Sequence, residues 1–294
     1  MSFLRILHPH ENIYAYYDGR VPGYRFSPEK NWVDDGALSL GIASYAIVSG
    51  DYALVYDTHC SNDYARAIRS HLKGVGVKHF TVLLSHWHLD HVAGTEVFAD
   101  CEVIANAKTA AHLTKRKVAI EAGTDHGPPA INPLILPNKT FSSEMDFELG
   151  DLRLKFIACN IHSDDASVVW WPAQGILLAG DTMEDTITYV GEPESFDIHL
   201  AELDRLWVLA PKQILPNHGH DEVIARGGYG KTLIRATQQY IRVLKRMAAE
   251  PELRAQDLRH LISGPLEAGW VHYFAPYEEV HKENVEMVVR AKLN

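Results

Sequence analysis

The chain has 294 residues, enough to bury a sizeable core as one large domain or as one domain with an appended segment. Its 46% apolar and 22% charged residues are ordinary for a soluble globular protein. With 28 Lys+Arg against 38 Asp+Glu the net charge is -10, which argues against nucleic acid or an anionic membrane as the main partner, since both select a basic footprint.

The opening MSFLRILHPHENIY is interrupted by Arg5 and too short for a secretory h-region, and no run approaches transmembrane length. Cys60, Cys101 and Cys159 are scattered and form no C-x-x-C pair, so neither a disulfide framework nor a thiolate zinc cluster is expected. The expectation is a cytoplasmic protein acting on a small molecule. Its oligomeric state is open, a homodimer being one option.

Residues 44 to 57 read as two strands joined by a Ser-Gly-Asp turn. Asn62 to Lys73 follow with apolar spacing at Ala65, Ile68 and Leu72, which predicts a helix. A Gly-rich turn leads into a buried strand at 80–84, then come a short helix at 92–99, a strand at 102–106 and a helix at 107–113. This alternation predicts a layered α/β domain. From Glu121 to Lys139 periodicity dissolves into EAGTDHGPPAINPLILPNK, either a functional loop or a flexible connection, and is expected to form a lid or wall of the substrate pocket. Its Ile131, Leu134, Ile135 and Leu136 would line a substrate pocket. Strands resume at 140–147, 151–157, 166–171 and 175–179. A helix at 196–209, a strand at 212–215 and helices at 231–249, 252–263 and 277–291 complete the chain. The expected division is 1–230 for the main domain and 231–294 for a helical segment packed on it.

SHWHLDH, Ser85 to His91, follows the buried strand and places three histidines and an aspartate in seven residues. His86 and His88 at i, i+2 can both reach one cation. Asp90 and His91, at the start of the next helix, can point at a second position close by. Imidazole and carboxylate suit a borderline metal such as zinc. Trp87 and Leu89 between them are read as core anchors. Three later places also put a ligand type at the end of an apolar run: His162 in CNIHSDD, Asp181 in GILLAGD and His218 in KQILPNHGHD. Strand ends along one sheet edge are where α/β proteins gather their sites. His220 is an alternative to His218 one step away.

These elements, in this order, resemble the metallo-β-lactamase-fold superfamily, whose signature H-x-H-x-D-H is matched by residues 86–91. The resemblance runs over about residues 38 to 225. It implies a four-layer αββα sandwich with the site at one edge of the paired sheets, here with a helical C-terminal extension. It also implies that His86, His88 and His162 hold one metal, that Asp90, His91 and His218 hold a second, and that Asp181 bridges them. The metals would be two divalent ions, zinc favoured, with iron or manganese as alternatives. Three departures narrow the activity. Members that hydrolyse β-lactams with two zincs mostly carry Cys, or lack the Asp, where this chain has Asp181, which with the missing export signal points away from antibiotics. The glyoxalase II-type thioesterases continue the Asp motif differently from DTMEDTITYV. Homoserine-lactone lactonases favour a Tyr soon after that Asp, whereas here Met183 and Glu184 follow and the nearest Tyr is Tyr189.

The resemblance therefore implies a hydrolase in which a hydroxide shared by two metals attacks an ester, lactone or thioester, with Asp90 as the catalytic residue that orients the nucleophile and handles the proton. The alternatives are a mononuclear-iron sulfur dioxygenase, a phosphodiesterase and a non-catalytic metal-binding regulator. Other signals are read as structural. ARGGYGKT lacks the strand context of a phosphate loop, Ser163 has no paired base, and Tyr16, Tyr17, Trp170 and Trp171 belong to the core or an interface. His59 and Cys60 sit at a strand end near the same edge, with a loop role favoured over substrate contact.

Overall fold

In the segment Ile42–Ser49, Ala43, Tyr45 and Ile47 join one apolar core while Ile42 and Ala46 join another, the two-residue period of a strand buried on both faces. The computed structural model describes residues 3–291, and the same alternation organises its first sheet throughout. That sheet has seven strands in sequence order: β1 (Arg5–His10), β2 (Ile13–Asp18), β3 (Ile42–Ser49), β4 (Tyr52–Tyr56), β5 (His79–Leu84), β6 (Glu102–Asn106) and β7 (Lys139–Phe141). Pairing is antiparallel from β1 to β4 and parallel from β4 to β7. The second sheet runs β12-β11-β10-β9-β8, from β8 (Glu144–Leu149), β9 (Leu152–Ala158), β10 (Ser167–Trp171), β11 (Ile176–Gly180) and β12 (Gln213–Pro216).

The sheets face each other across Tyr45, Tyr56 and Leu83 on one side and Phe156, Val169 and Leu178 on the other. Hydrogen bonds tie them at the edge that will carry the site: the Tyr56 hydroxyl donates to Ser167 O (2.6 Å) and Ser167 N donates to Ser85 O (2.7 Å). Helices α1 (Asn62–Gly74) and α3 (Ala107–Glu121) cover the outer face of the first sheet, near the short α2 (Leu89–Val92). Tyr64, Ala65, Ile68 and Leu72 form the buried stripe of α1, and the Ser61 side chain caps its first turn. Helices α4 (Phe196–Val208) and α6 (Thr232–Arg246) cover the second sheet, with α5 (Asp221–Ala225), α7 (Leu258–Leu261), α8 (Ser263–Glu267) and α9 (Tyr277–Ala291) around them. The result is the four-layer αββα sandwich.

The differences from the sequence expectation are local. The run expected as one strand at 140–147 breaks at Ser142–Ser143 into β7 and β8, which belong to different sheets. The helix expected at 107–113 continues to Glu121, and the 92–99 helix is instead α2 followed by one 3₁₀ turn, Thr95–Phe98. The helix expected at 252–263 divides into a 3₁₀ turn, Pro251–Ala255, and the short α7 and α8. In the Pro-rich segment Ile131 and Leu134 are buried in the core beneath α3 and Leu136 packs against it, and neither these nor Ile135 line the cavity at the ligand motifs. Beyond residue 230, Leu233, Ile234, Tyr240 and Ile241 of α6 and Tyr277 and Val288 of α9 pack into the main core. No helix among the described residues is long and apolar enough to cross a membrane.

Candidate metal centre and its pocket

Five strand ends meet at one edge of the sandwich, and each delivers a polar side chain just past its last apolar residue. Asp57 follows β4, His86 to His91 follow β5, His162 follows β9, Asp181 follows β11, and Asn217 and His218 follow β12. Trp87 and Leu89 are buried, with the Arg116 guanidinium 3.9 Å over the Trp87 ring, so they anchor the loop as expected.

The seven expected ligands come together as two groups, His86–His88–His162–Asp181 and Asp90–His91–His218, each with donor atoms within 4.8 Å of one another. Asp181 stands between them. Its Oδ2 lies 3.1 Å from His91 Nε2, 3.3 Å from His218 Nε2, and 3.7 Å from both His86 Nε2 and His162 Nε2. Asp90 Oδ2 is 3.4 Å from His91 Nε2 and 3.3 Å from His218 Nε2.

Outer partners aim these rings. Nδ1 of His162 donates to Tyr189 O (3.0 Å) and Nδ1 of His218 to Gly41 O (2.8 Å). His91 Nδ1 meets Asp57 Oδ2 at 2.9 Å, and Asn217 Nδ2 donates to the same carboxylate oxygen at 2.6 Å. His86 Nδ1 meets the Ser85 hydroxyl at 2.9 Å. In each case Nε2 is left facing the centre, the orientation a cation requires.

A divalent metal fits this arrangement on physical grounds. His86 Nε2 and Asp181 Oδ1 are buried acceptors without a hydrogen-bond partner, a costly arrangement unless an electrophile completes it. Burial above all pushes His86 and His88 well below the ordinary histidine range, with unfavourable interactions from the neighbouring rings adding to it, and burial lowers His162 in the same way. These three are neutral, ligand-competent imidazoles. Burial opposes ionisation of Asp181 and Asp90, but the charge of His91 and hydrogen bonds from His218 and His91 outweigh it and hold both well below the usual carboxylate range.

The remaining candidates separate cleanly. His220 caps α5, its Nδ1 accepting from Glu222 N (3.2 Å), so His218 is the residue of that motif in the cluster. His59 is buried, stacks on Tyr64 at 4.4 Å and accepts from Cys60 N, and neither His59 nor Cys60 lines the cavity. The Ser163 hydroxyl is engaged by Asp165. In the ARGGYGKT segment Tyr229 pairs with Ile214 beside β12, and a Cβ on Gly228 would lie 2.3 Å from Ile214 O, so this is a structural turn. Tyr16, Tyr17, Trp170 and Trp171 are core residues.

Sequence reasoning missed Asp57, although it carries the same signature as the residues it found, an acid just after an apolar strand. It also missed Glu184, which is buried and accepts from Tyr189 N (3.1 Å) and from the Tyr277 hydroxyl (3.0 Å) of α9. Burial, with the charge of Asp181, outweighs the lowering by His218 and pushes Glu184 up to about 7.

Gly180 positions Asp181 with φ +56°, and an added Cβ would lie 2.7 Å from the Tyr56 hydroxyl. The expected result of Gly180→Ala is a loss of about 1–3 kcal/mol of stability together with lower metal content, because the displaced strand end carries Asp181. A thermal melt and elemental analysis matching the parent protein would show that this turn does not fix the aspartate.

The groups open into a cavity of about 1170 Å³. His88, Asp90, His162, Asp181 and His218 face it, and its walls come from residues 19–40, 126–128 and 274–283 together with Trp87, Leu89, Glu184 and Tyr189. The Pro-rich segment therefore contributes His126, Gly127 and Pro128 to the wall rather than its apolar run. A smaller hollow of about 460 Å³ by Pro193, Phe196 and Lys245 holds none of these donors.

The chain is similar to known proteins both in sequence and in fold. The chain is 26% identical over 212 residues, 70% of its length, to the Beta-lactamase-like protein 2 homolog of Caenorhabditis elegans, and the aligned part spans 66% of that relative, just under two thirds. Its fold superposes on the metallo-beta-lactamase from Pontibacter korlensis with a TM-score of 0.57 at 17% identity, covering 79% of this chain and 99% of that one. A mono-zinc form of the metallo-beta-lactamase FIM-1 from Pseudomonas aeruginosa gives a TM-score of 0.59 at 17% identity, covering 81% and 95%. The family description Metallo-beta-lactamase superfamily matches residues 39–287. With that match over most of its length and two donor groups at the sheet edge, the chain belongs to the metallo-β-lactamase superfamily and carries a candidate dinuclear metal site.

Proposed function

We propose that the protein hydrolyses an ester, lactone or thioester bond of a small molecule. The observation that carries this reading is Asp181 Oδ2 lying within 3.7 Å of four histidine Nε2 atoms, two from each donor group. His86, His88 and His162 would hold one divalent cation and Asp90, His91 and His218 a second, with Asp181 shared. Zinc is favoured by the imidazole and carboxylate donors. When bound, such a pair supplies Lewis acidity and a water acidified toward neutrality.

The chain's own residues do the rest. Asp90 is 15% exposed on the cavity side where Asp181 and His218 are 4% exposed, so it is the carboxylate placed to orient an attacking water and pass its proton to the leaving atom. Trp32, Leu38, Leu40 and Leu89 line the cavity and exclude water from an apolar acyl portion. A small molecule fits this volume, and the net charge of -10 disfavours a polyanionic phosphodiester.

Elemental analysis of purified protein, followed by a panel of lactones, thioesters, aryl esters, β-lactams and phosphodiesters, tests the reading. About two zinc ions per chain and turnover confined to acyl substrates are expected. One ion that cannot be supplemented to two overturns the dinuclear assignment, and exclusive phosphodiester turnover overturns the acyl one.

A further inference from the structure

Arg20 stands at the cavity wall with its charge unused. Its backbone has φ +53°, and its guanidinium is fixed by backbone oxygens alone, Nε donating to Leu40 O (2.7 Å) and Nη2 to Asp185 O (2.8 Å). The Phe274 ring backs the cation at 4.2 Å. Among the described residues Arg20 makes no ion pair, and Nη1 has no protein acceptor. The obvious counter-ion is occupied elsewhere: the Asp185 carboxylate accepts from the Tyr229 hydroxyl (2.6 Å) and from His272 N (2.6 Å), and meets His272 Nδ1 at 2.9 Å.

Both anchors of Arg20 adjoin the metal centre. Leu40 precedes Gly41, whose carbonyl orients His218, and Asp185 N donates to His218 O at 3.2 Å. The guanidinium is thus held in fixed register with the second donor group. The other cations of the wall differ. Arg25 lies 3.5 Å from Asp34 and donates to Ser27 O and Glu29 O, and Lys30 is exposed and near Glu283.

We propose that Arg20 binds a carboxylate of the substrate, so that the molecule hydrolysed is an ester, lactone or thioester bearing a second, free carboxylate. This rests on the acyl-hydrolase reading of the same cavity. The arginine fork, pre-set by two carbonyls, offers its unused N–H groups to a planar anion. Hydrolysis adds water across the acyl bond: hydroxyl joins the acyl carbon, a proton goes to the leaving oxygen or sulfur, and a dianionic product pair or dicarboxylate results. A reaction that releases such acids supplies the next step with a free carboxylate, and the step before must form the activated acyl bond.

The test is calorimetric binding to zinc-loaded protein of aliphatic dicarboxylates from succinate to suberate, each against the monocarboxylate of equal length. One carboxylate can occupy the metal centre in both partners of a pair, so their affinity ratio reads the second. In the parent protein the best dicarboxylate should bind about tenfold or more tightly than its monocarboxylate, and Arg20→Met should bring that ratio close to one. Arg20→Lys should keep part of the preference, which covers the case in which the Met variant does not fold. A merely structural role for Arg20 would weaken both ligands alike and leave the ratio unchanged, which overturns the proposal. A parent ratio near one overturns it too, as does loss of the preference in Lys30→Met but not in Arg20→Met. A sustained dicarboxylate preference without turnover of any acyl substrate would remove the hydrolase reading and leave the anion subsite standing.

Discussion

Asp90→Asn yields a folded protein whose turnover of the best acyl substrate falls about 10³-fold, the scale of a lost proton-handling group. The amide keeps the shape of the carboxylate but has no negative charge to set against His91 and His218, which stand 3.4 and 3.3 Å from Oδ2. It also cannot take a proton from an attacking water. His218→Ala is the informative companion. It deletes a donor of the second group and leaves Gly41 O without its imidazole partner, so metal content should fall to about one ion per chain. The two variants separate proton handling from ligation: the first should stay slow even after its second metal is restored by supplementation, whereas in the second the metal content itself falls. Near-parental kinetics for Asp90→Asn across the whole panel would remove Asp90 from the mechanism.

Asn284→Ala has the largest expected effect on stability away from the metal centre. Asn284 is fully buried on α9 and makes three hydrogen bonds at once: Oδ1 accepts from Val190 N (2.9 Å), and Nδ2 donates to Thr188 O (3.1 Å) and the Tyr240 hydroxyl (3.0 Å). Alanine leaves those groups buried and unpaired, at about 2–4 kcal/mol in all. For a chain of this size that lowers the melting temperature by roughly 5–10 °C. The damage should reach the pocket, because the same helix presents the Tyr277 hydroxyl to Glu184 and the same loop carries the Tyr189 carbonyl that orients His162. A Michaelis constant that rises along with the loss of stability is expected. A melting temperature within about 1 °C of the parent would mean that α9 is not anchored through this side chain.

How much of this was legible in the sequence depended on how local the signal was. The ligands were readable because each follows an apolar strand directly and the SHWHLDH run is dense, so a short window contains both the element and its chemistry. Helices α1 and α9 were readable for the same reason, their buried faces recurring at helical spacing. Strands β1 and β2 were not assigned. Pro9 interrupts the first, which is an edge strand and so needs no donor there, and Ala15, Tyr16 and Tyr17 are buried on both faces, which erases the alternation. The single run at 140–147 concealed two strands because periodicity does not say which sheet a residue joins. Arg20, Glu184 and the cavity wall depend on contacts across most of the chain, such as Arg20 with Phe274 and Glu184 with Tyr277, and no window in the sequence contains both partners. The Pro-rich segment was placed near the pocket by its position between ligand motifs, but its apolar residues answered to the core under α3.

The ligands sit on strand ends, whereas most of the cavity wall comes from residues 19–40, 126–128 and 274–283, in connections or beyond the last strand, with Trp87, Leu89, Glu184 and Tyr189 beside the ligands completing it. What the protein can do to a bond and which molecule it admits are therefore written in largely separate stretches of chain. A connection can lengthen, shorten or change charge without moving a strand end, so the chemistry tolerates turnover of its surroundings. Exchanging residues 19–40 between relatives of this architecture should transplant preference for one acid over another while the donors stay in place. In this chain, selectivity is a removable part.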